Sequence, residues 1–153
     1  MMSWHKNILN LKASEVKQGL KVNCFAVTTS YFQDELIEKC LTAEEMLNWL
    51  VENTEQIANP EINDVFVIWS TSKMEDSPDK IDIIELSKKL TGYPFGLVME
   101  HSGVFINKET VFQKASPKEQ DVFETSKYES VVNLYKSQFS WTRVTFHRYK
   151  YAD

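Results

Sequence analysis

The chain has 153 residues, a net charge of −5, 42% hydrophobic and 25% charged residues, and only four glycines. This length suffices for one domain burying roughly 70% of the surface of its unfolded chain. The scarcity of glycine, with no G-x-x-x-x-G-K or G-x-G-x-x-G pattern, excludes glycine-rich phosphate loops, and the negative charge argues against general nucleic-acid binding.

In chain order, residues 13–20 read as a short helix ending near Gly19. His5, before it, has nothing to coordinate and reads as solvated. "NCFAVTTSYF" (23–32) is expected to be a buried helix beginning close to Cys24, because Cys24, Val27, Tyr31 and Phe32 recur at helical spacing. Cys40 reads as a buried structural thiol. "LTAEEMLNWLVENTEQI" (41–57) gives the clearest helix, with Thr42 and Glu45 as a capping box and Met46, Leu47, Leu50 and Val51 as its apolar stripe.

"DVFVIWS" (64–70) is a near-continuous run of branched and aromatic residues, as a central strand requires. Its Trp69 is expected in the core, with lining of a substrate groove as the alternative. "KMEDSPDK" (73–80) is a loop and "DKIDIIELSKKL" (79–90) a helix stopped by Gly92 and Pro94. Residues 97–106 and 110–115 form a hairpin, 128–139 a helix and 143–149 a closing strand. The basic residues Lys136, Arg143, His147, Arg148 and Lys150 alternate largely with apolar ones, so they read as a solvated strand face, with His147 at the surface. The order of elements predicts an α+β domain, residues 1–153, with N-terminal helices packed on a central antiparallel sheet.

No apolar run approaches the ~18 residues of a membrane span. No secretory signal is visible, so the chain is expected to start in the cytoplasm. Two cysteines fit neither a disulfide scaffold nor a zinc spacing, and the acids at 75, 76, 79, 82 and 85 lack the pattern of a calcium loop. No metal or cofactor is expected.

The hairpin places a histidine where strands usually carry apolar side chains. His101, Gly103 and Phe105 share one strand face, with Ser102 and Val104 on the other. A three-residue loop, Asn107-Lys108-Glu109, puts Gln113 on the face of His101, within diagonal reach; a two-residue loop aligns Lys114 instead. A thiol becomes a nucleophile as thiolate, and a nearby imidazole or helix start favours that form. In this reading Cys24 is the nucleophile, His101 the base and Gln113 the group that orients the imidazole. Unpaired amides at the start of the Cys24 helix are the candidate oxyanion donors.

"HSGVFINKETVFQKAS" (101–116) resembles the histidine hairpin of NlpC-type cysteine peptidases, the papain-like cell-wall hydrolases. The twelve-residue step from His101 to Gln113 is similar to theirs. "NCFAVTTSYF" resembles the segment where the nucleophilic cysteine opens a helix, and "YESVVNLYKS…TRVTFHRY" resembles the ending of small domains of this kind. The resemblance implies a papain-like fold over about residues 20–149, with an insertion at about 71–96. It also implies cleavage of an amide bond in peptidoglycan stem peptides through a Cys24-His101-Gln113 site. Asn23, Trp69 and Ser102 are the expected substrate contacts. The flanks differ, since Asn23-Cys24-Phe25 replaces the usual Asp-Cys-Ser and no Gly-Asp-Leu turn precedes the histidine strand. A wall substrate implies export by a dedicated secretion system and a cognate immunity partner. An acyltransferase or deamidase with the same dyad, or an inactive binding module, are the other readings.

Overall fold

The computed structural model describes residues 23–32, 39–71, 81–88, 97–114, 123–139 and 141–151. The short helix expected over 13–20, the loop over 73–80 and most of the insertion at 71–96 lie outside these, as does His5.

Helix α1 spans Cys24–Ser30, and each of its residues is buried. Asn23 is its N-cap: its Oδ1 accepts from the Ala26 N–H at 3.1 Å. The same side chain bonds both Leu41 N and Leu41 O, tying the helix start to a segment 18 residues on. Thr28 and Thr29 have modest helix propensity, so burial on the sheet, and not local preference, holds these roughly two turns.

Helix α2 spans Ala43–Asn53, and both bonds of the Thr42–Glu45 capping box form. Met46, Leu47 and Leu50 are buried, while Trp49 and Val51 pack at the core's margin. The helix ends four residues earlier than the sequence pattern suggests. Thr54 turns to extended backbone and opens strand β1, Thr54–Ile57, which pairs with the last strand. The Thr54 hydroxyl donates to Leu50 O, closing the helix end.

Strand β2, Val65–Thr71, is buried along its whole length. Helix α3 is only Ile83–Ser87, shorter than expected, because the Asp82 side chain caps Ile84 and Glu85 and so fixes the start. Strands β3 (Leu97–Phe105), β4 (Thr110–Lys114) and β5 (Phe123–Lys127) follow, then helix α4 (Tyr128–Gln138) and strand β6 (Thr142–Tyr149). The six strands form one sheet in the order β1-β6-β2-β3-β4-β5, and every pairing is antiparallel. The described chain is thus α+β, with four helices and a six-stranded antiparallel sheet. None of these helices is long and apolar enough to cross a membrane.

Two apolar layers flank the sheet. On one side α1, α2 and α3 pack on Val65, Val67, Trp69, Val104 and Phe112. On the other, Val131 and Val132 of α4 pack on Phe66, Ile68, Phe105 and Val111. β3 carries a β-bulge that changes which of its residues face each layer. Its register with β2 breaks between Ile68 and Trp69, which leaves Glu100 as the extra residue. Strict alternation would put Leu97 and Met99 on the face of His101. The bulge reverses the alternation, and both join the helical layer with Val104. Gly103 permits a close approach of Phe66 and the β4 backbone, since a Cβ there would lie 2.6 Å from Phe66 Cε1 and 2.8 Å from Phe112 O.

One surface expectation fails. His147 is 0% exposed, because β6 is an interior strand between β1 and β2. Its Nε2 meets Thr145 Oγ1 at 2.7 Å, and Thr145 also accepts the Trp69 indole N–H at 2.9 Å. The arrangement leaving fewest buried groups unsatisfied has the threonine hydroxyl donating to His147 Nε2, with the ring hydrogen on Nδ1. Arg148 is exposed, as expected of the solvated basic face, and it forks onto the buried Asp64 at 2.9 and 3.1 Å. Cys40, expected in the core, is exposed.

Candidate active site

The hairpin register is the one a three-residue loop requires. Val104 opposes Phe112, Phe105 opposes Val111, and Ile106 N–H donates to Thr110 O. Asn107 Oδ1 accepts from the N–H groups of Glu109 and Thr110, which fixes the loop without glycine. Gln113 therefore shares the face of His101, and its Oε1 meets His101 Nε2 at 2.5 Å. The Gln113 amide nitrogen in turn donates to Ser126 Oγ on β5 at 3.3 Å. This chain assigns the hydrogen on His101 to Nε2 and leaves Nδ1 as a bare lone pair. His101 is 1% exposed, and among the described residues Nδ1 has no hydrogen-bond partner.

The imidazole is held between rings. Tyr135 of α4 stacks on it, with centroids 5.2 Å apart and planes 20° apart, and Phe66 tilts against it at 5.9 Å. Burial lowers its pKa from 6.5 to about 4, which the bond to Gln113 only partly offsets. The ring is a neutral base at pH 7.

Cys24 reaches the same strand from the helical layer. Phe105 N–H donates to Asp64 O, on the β2 side, and Ile106 N–H donates towards β4. By alternation the Ser102 backbone polar groups also face β4. The β3–β4 ladder, however, stops at the Val104–Phe112 pair. The Ser102 amide is thus free to act on the thiol. Ser102's own hydroxyl bonds Cys24 O at 3.3 Å and Thr28 Oγ1 at 2.7 Å, which seats α1 on the strand. Cys24 is 8% exposed.

Burial pushes the Cys24 thiol up to about 11, and the backbone N–H groups of Ser102, Phe25 and Cys24, together with the Ser102 hydroxyl, pull the other way without prevailing. The expected resting thiolate is therefore not the resting state. Desolvation outweighs the few amides of a seven-residue helix. Tyr135 completes the neighbourhood. Burial first, then the charges of Cys24 and Glu100, raise its phenol to about 12, so it stays a proton donor.

The structure thus brings Cys24, in the helical layer, to Ser102, the residue next to His101, and it brings the His101 ring, on the α4 side, to Gln113. It forms no hydrogen bond between the thiol and the imidazole. The expected substrate contacts fare differently. Asn23 caps α1 and binds Leu41, so its role is to position Cys24. Ser102 is fully buried on the helical face and secures α1. Trp69 is 0% exposed and bonded to Thr145, which makes it a core residue and not a groove wall. Ser126, Tyr135, Glu100 and Ser70 were not anticipated from sequence. Tyr135 left a signal, since Tyr128, Val131, Val132 and Tyr135 follow helical spacing. Glu100 reaches the site only through the bulge, which alternation does not reveal. Among the described residues no group of three or more His, Cys, Asp and Glu could hold a metal ion.

No protein-family model, curated protein or solved structure matches the chain.

Proposed function

We propose that the chain is a papain-like thiol hydrolase that cleaves an amide bond through Cys24, His101 and Gln113. The supporting observation is the His101 ring: Gln113 holds its Nε2–H, and Nδ1 is a buried, unpartnered base one residue from the contact of the Cys24 helix. Because the thiol is pushed up and the imidazole down, attack begins from the neutral pair. His101 Nδ1 takes the thiol proton as sulfur adds to the carbonyl carbon. The imidazolium then gives that proton to the departing amine, leaving an acyl-thioester. Water, deprotonated by the same nitrogen, adds to the thioester and releases the acid and the thiol. Gln113 keeps the ring's tautomer and direction through both steps.

The substrate class in this reading is a peptide amide. The likeness of the hairpin to NlpC-type peptidases points to peptidoglycan stem peptides, with export and an immunity partner as its corollaries. The test is turnover of a panel of peptides and muropeptides by the wild type, Cys24→Ala and His101→Ala, with folding checked by circular dichroism. Loss of about a thousandfold or more in both variants is expected. Full turnover by Cys24→Ala disposes of the proposal.

One observation favours a binding module on the same scaffold: neither reacting side chain is open to solvent. Iodoacetamide labelling separates the two. Cys24 labelling that slows about tenfold in His101→Ala supports the hydrolase, and labelling indifferent to His101 supports the module.

A further inference from the structure

Glu100 is the bulged residue of β3, inserted where the register with β2 breaks beside Ile68 and Trp69. At a bulge, two consecutive side chains lean to one side of the sheet. Glu100 accordingly lies on the α4 side with His101: its Oε1 accepts from Ser70 Oγ at 2.7 Å, and its charge acts on the Tyr135 phenol, which stacks on the imidazole. The carboxylate is half-buried, and among the described residues Ser70 is its one hydrogen-bond partner and no cation pairs with it. Every other side chain gathered at the site is neutral at pH 7: a thiol, an imidazole, an amide, a phenol and hydroxyls. A half-buried carboxylate that is held in place but unpaired has its charge available to whatever enters.

We propose that Glu100 is the charge-selecting residue of the Cys24–His101 site, favouring substrates with an amine or guanidinium beside the scissile amide. The same charge disfavours peptides with a free carboxylate at that place. The substrate sense of this inference rests on the thiol-hydrolase reading; the electrostatic claim does not.

The test is charge-selective modification of Cys24 in a Cys40→Ser background. Two methanethiosulfonates are compared, one bearing trimethylammonium and one bearing sulfonate, with rates normalised to those of 2-mercaptoethanol. Each forms a mixed disulfide at sulfur and releases methanesulfinate. The normalised cation-to-anion ratio is expected to exceed one, to fall on the order of tenfold in Glu100→Gln at low salt, and to shrink in 1 M NaCl. Ser70→Ala, which frees the carboxylate but keeps the bulge residue, gives a smaller fall of about twofold and serves if Glu100→Gln does not fold. A ratio unmoved by these substitutions overturns the inference, as does a Cys24 that neither reagent reaches. A ratio that follows Glu100 while labelling ignores His101 leaves charge selection standing and removes the hydrolase. A rate that follows His101 while the ratio ignores Glu100 does the reverse.

Discussion

Gln113 accepts the Nε2 hydrogen of His101 across a hairpin in which Gly103, beside them, carries no side chain. The relationship joins strand register to chemistry. An odd-length loop sets the shared face, and the amide's second bond, to Ser126, decides which end faces the ring.

Replacing Gln113 by alanine leaves a buried imidazole N–H without its acceptor. A loss of ~1–3 kcal/mol in urea unfolding is expected. The ring also loses its tautomer bias, so long-range ¹⁵N–¹H spectra of His101 should change from a single Nε2–H form to a mixture. An unchanged spectrum would mean that something else holds the ring.

Acid should destabilise the fold through both buried histidines. Burial lowers His101 to about 4 and His147 to about 3, against 6.5 when free. Between those limits the unfolded chain binds protons that the folded protein refuses. This contribution is therefore complete above ~6.5 and is lost as pH falls towards the folded values, at up to ~1.4 kcal/mol per pH unit for each ring. Carboxylates act in the same window, so the measurement is the stability difference between wild type and His147→Asn. It should vary with pH from 6.5 down to 4 and be flat above 7. Cys24 acts at the other limit. Its thiol, raised to about 11, contributes stability that is complete below ~9 and is lost as pH rises through the folded value. Cys24→Ala should remove that alkaline loss.

Gly103→Ala drives a methyl group against the Phe66 ring and the Phe112 carbonyl oxygen. Overpacking of this kind costs ~1–3 kcal/mol, a fall in Tm of ~3–10 °C for a domain of this size. Phe66→Leu in the same chain should recover part of it, because the ring is the yielding partner and the backbone oxygen is not. An undiminished Tm in the single variant would show the ring free to move aside.

Local chemistry made much of this fold legible. The Thr42–Glu45 pair announces a helix start by supplying acceptors for unpaired amides, and the structure makes those bonds. Asn107 and its two successors give the hairpin length, hence the face of Gln113. Long-range pairing was not legible. Thr54–Ile57 continues a helical pattern, and only its partners on β6 make it a strand. β5 gave no signal for the same reason. His147 sits among basic residues on a strand that looks exposed until β1 is laid along its outer edge. The thiol's resting state also escaped, because spacing shows which amides lie near Cys24 but not how little water does.

One inserted residue has a wider consequence for β3. A ribbon that obeyed strict alternation would send Leu97, Met99, His101 and Phe105 all to one layer. The bulge acts as a phase change, so Leu97 and Met99 serve one core while His101 and Phe105 serve the other. Deleting Glu100 would restore a single phase. It would rotate the imidazole away from Gln113 or turn two core side chains outward, and either result would separate the His101–Gln113 pair from the layer that supports it.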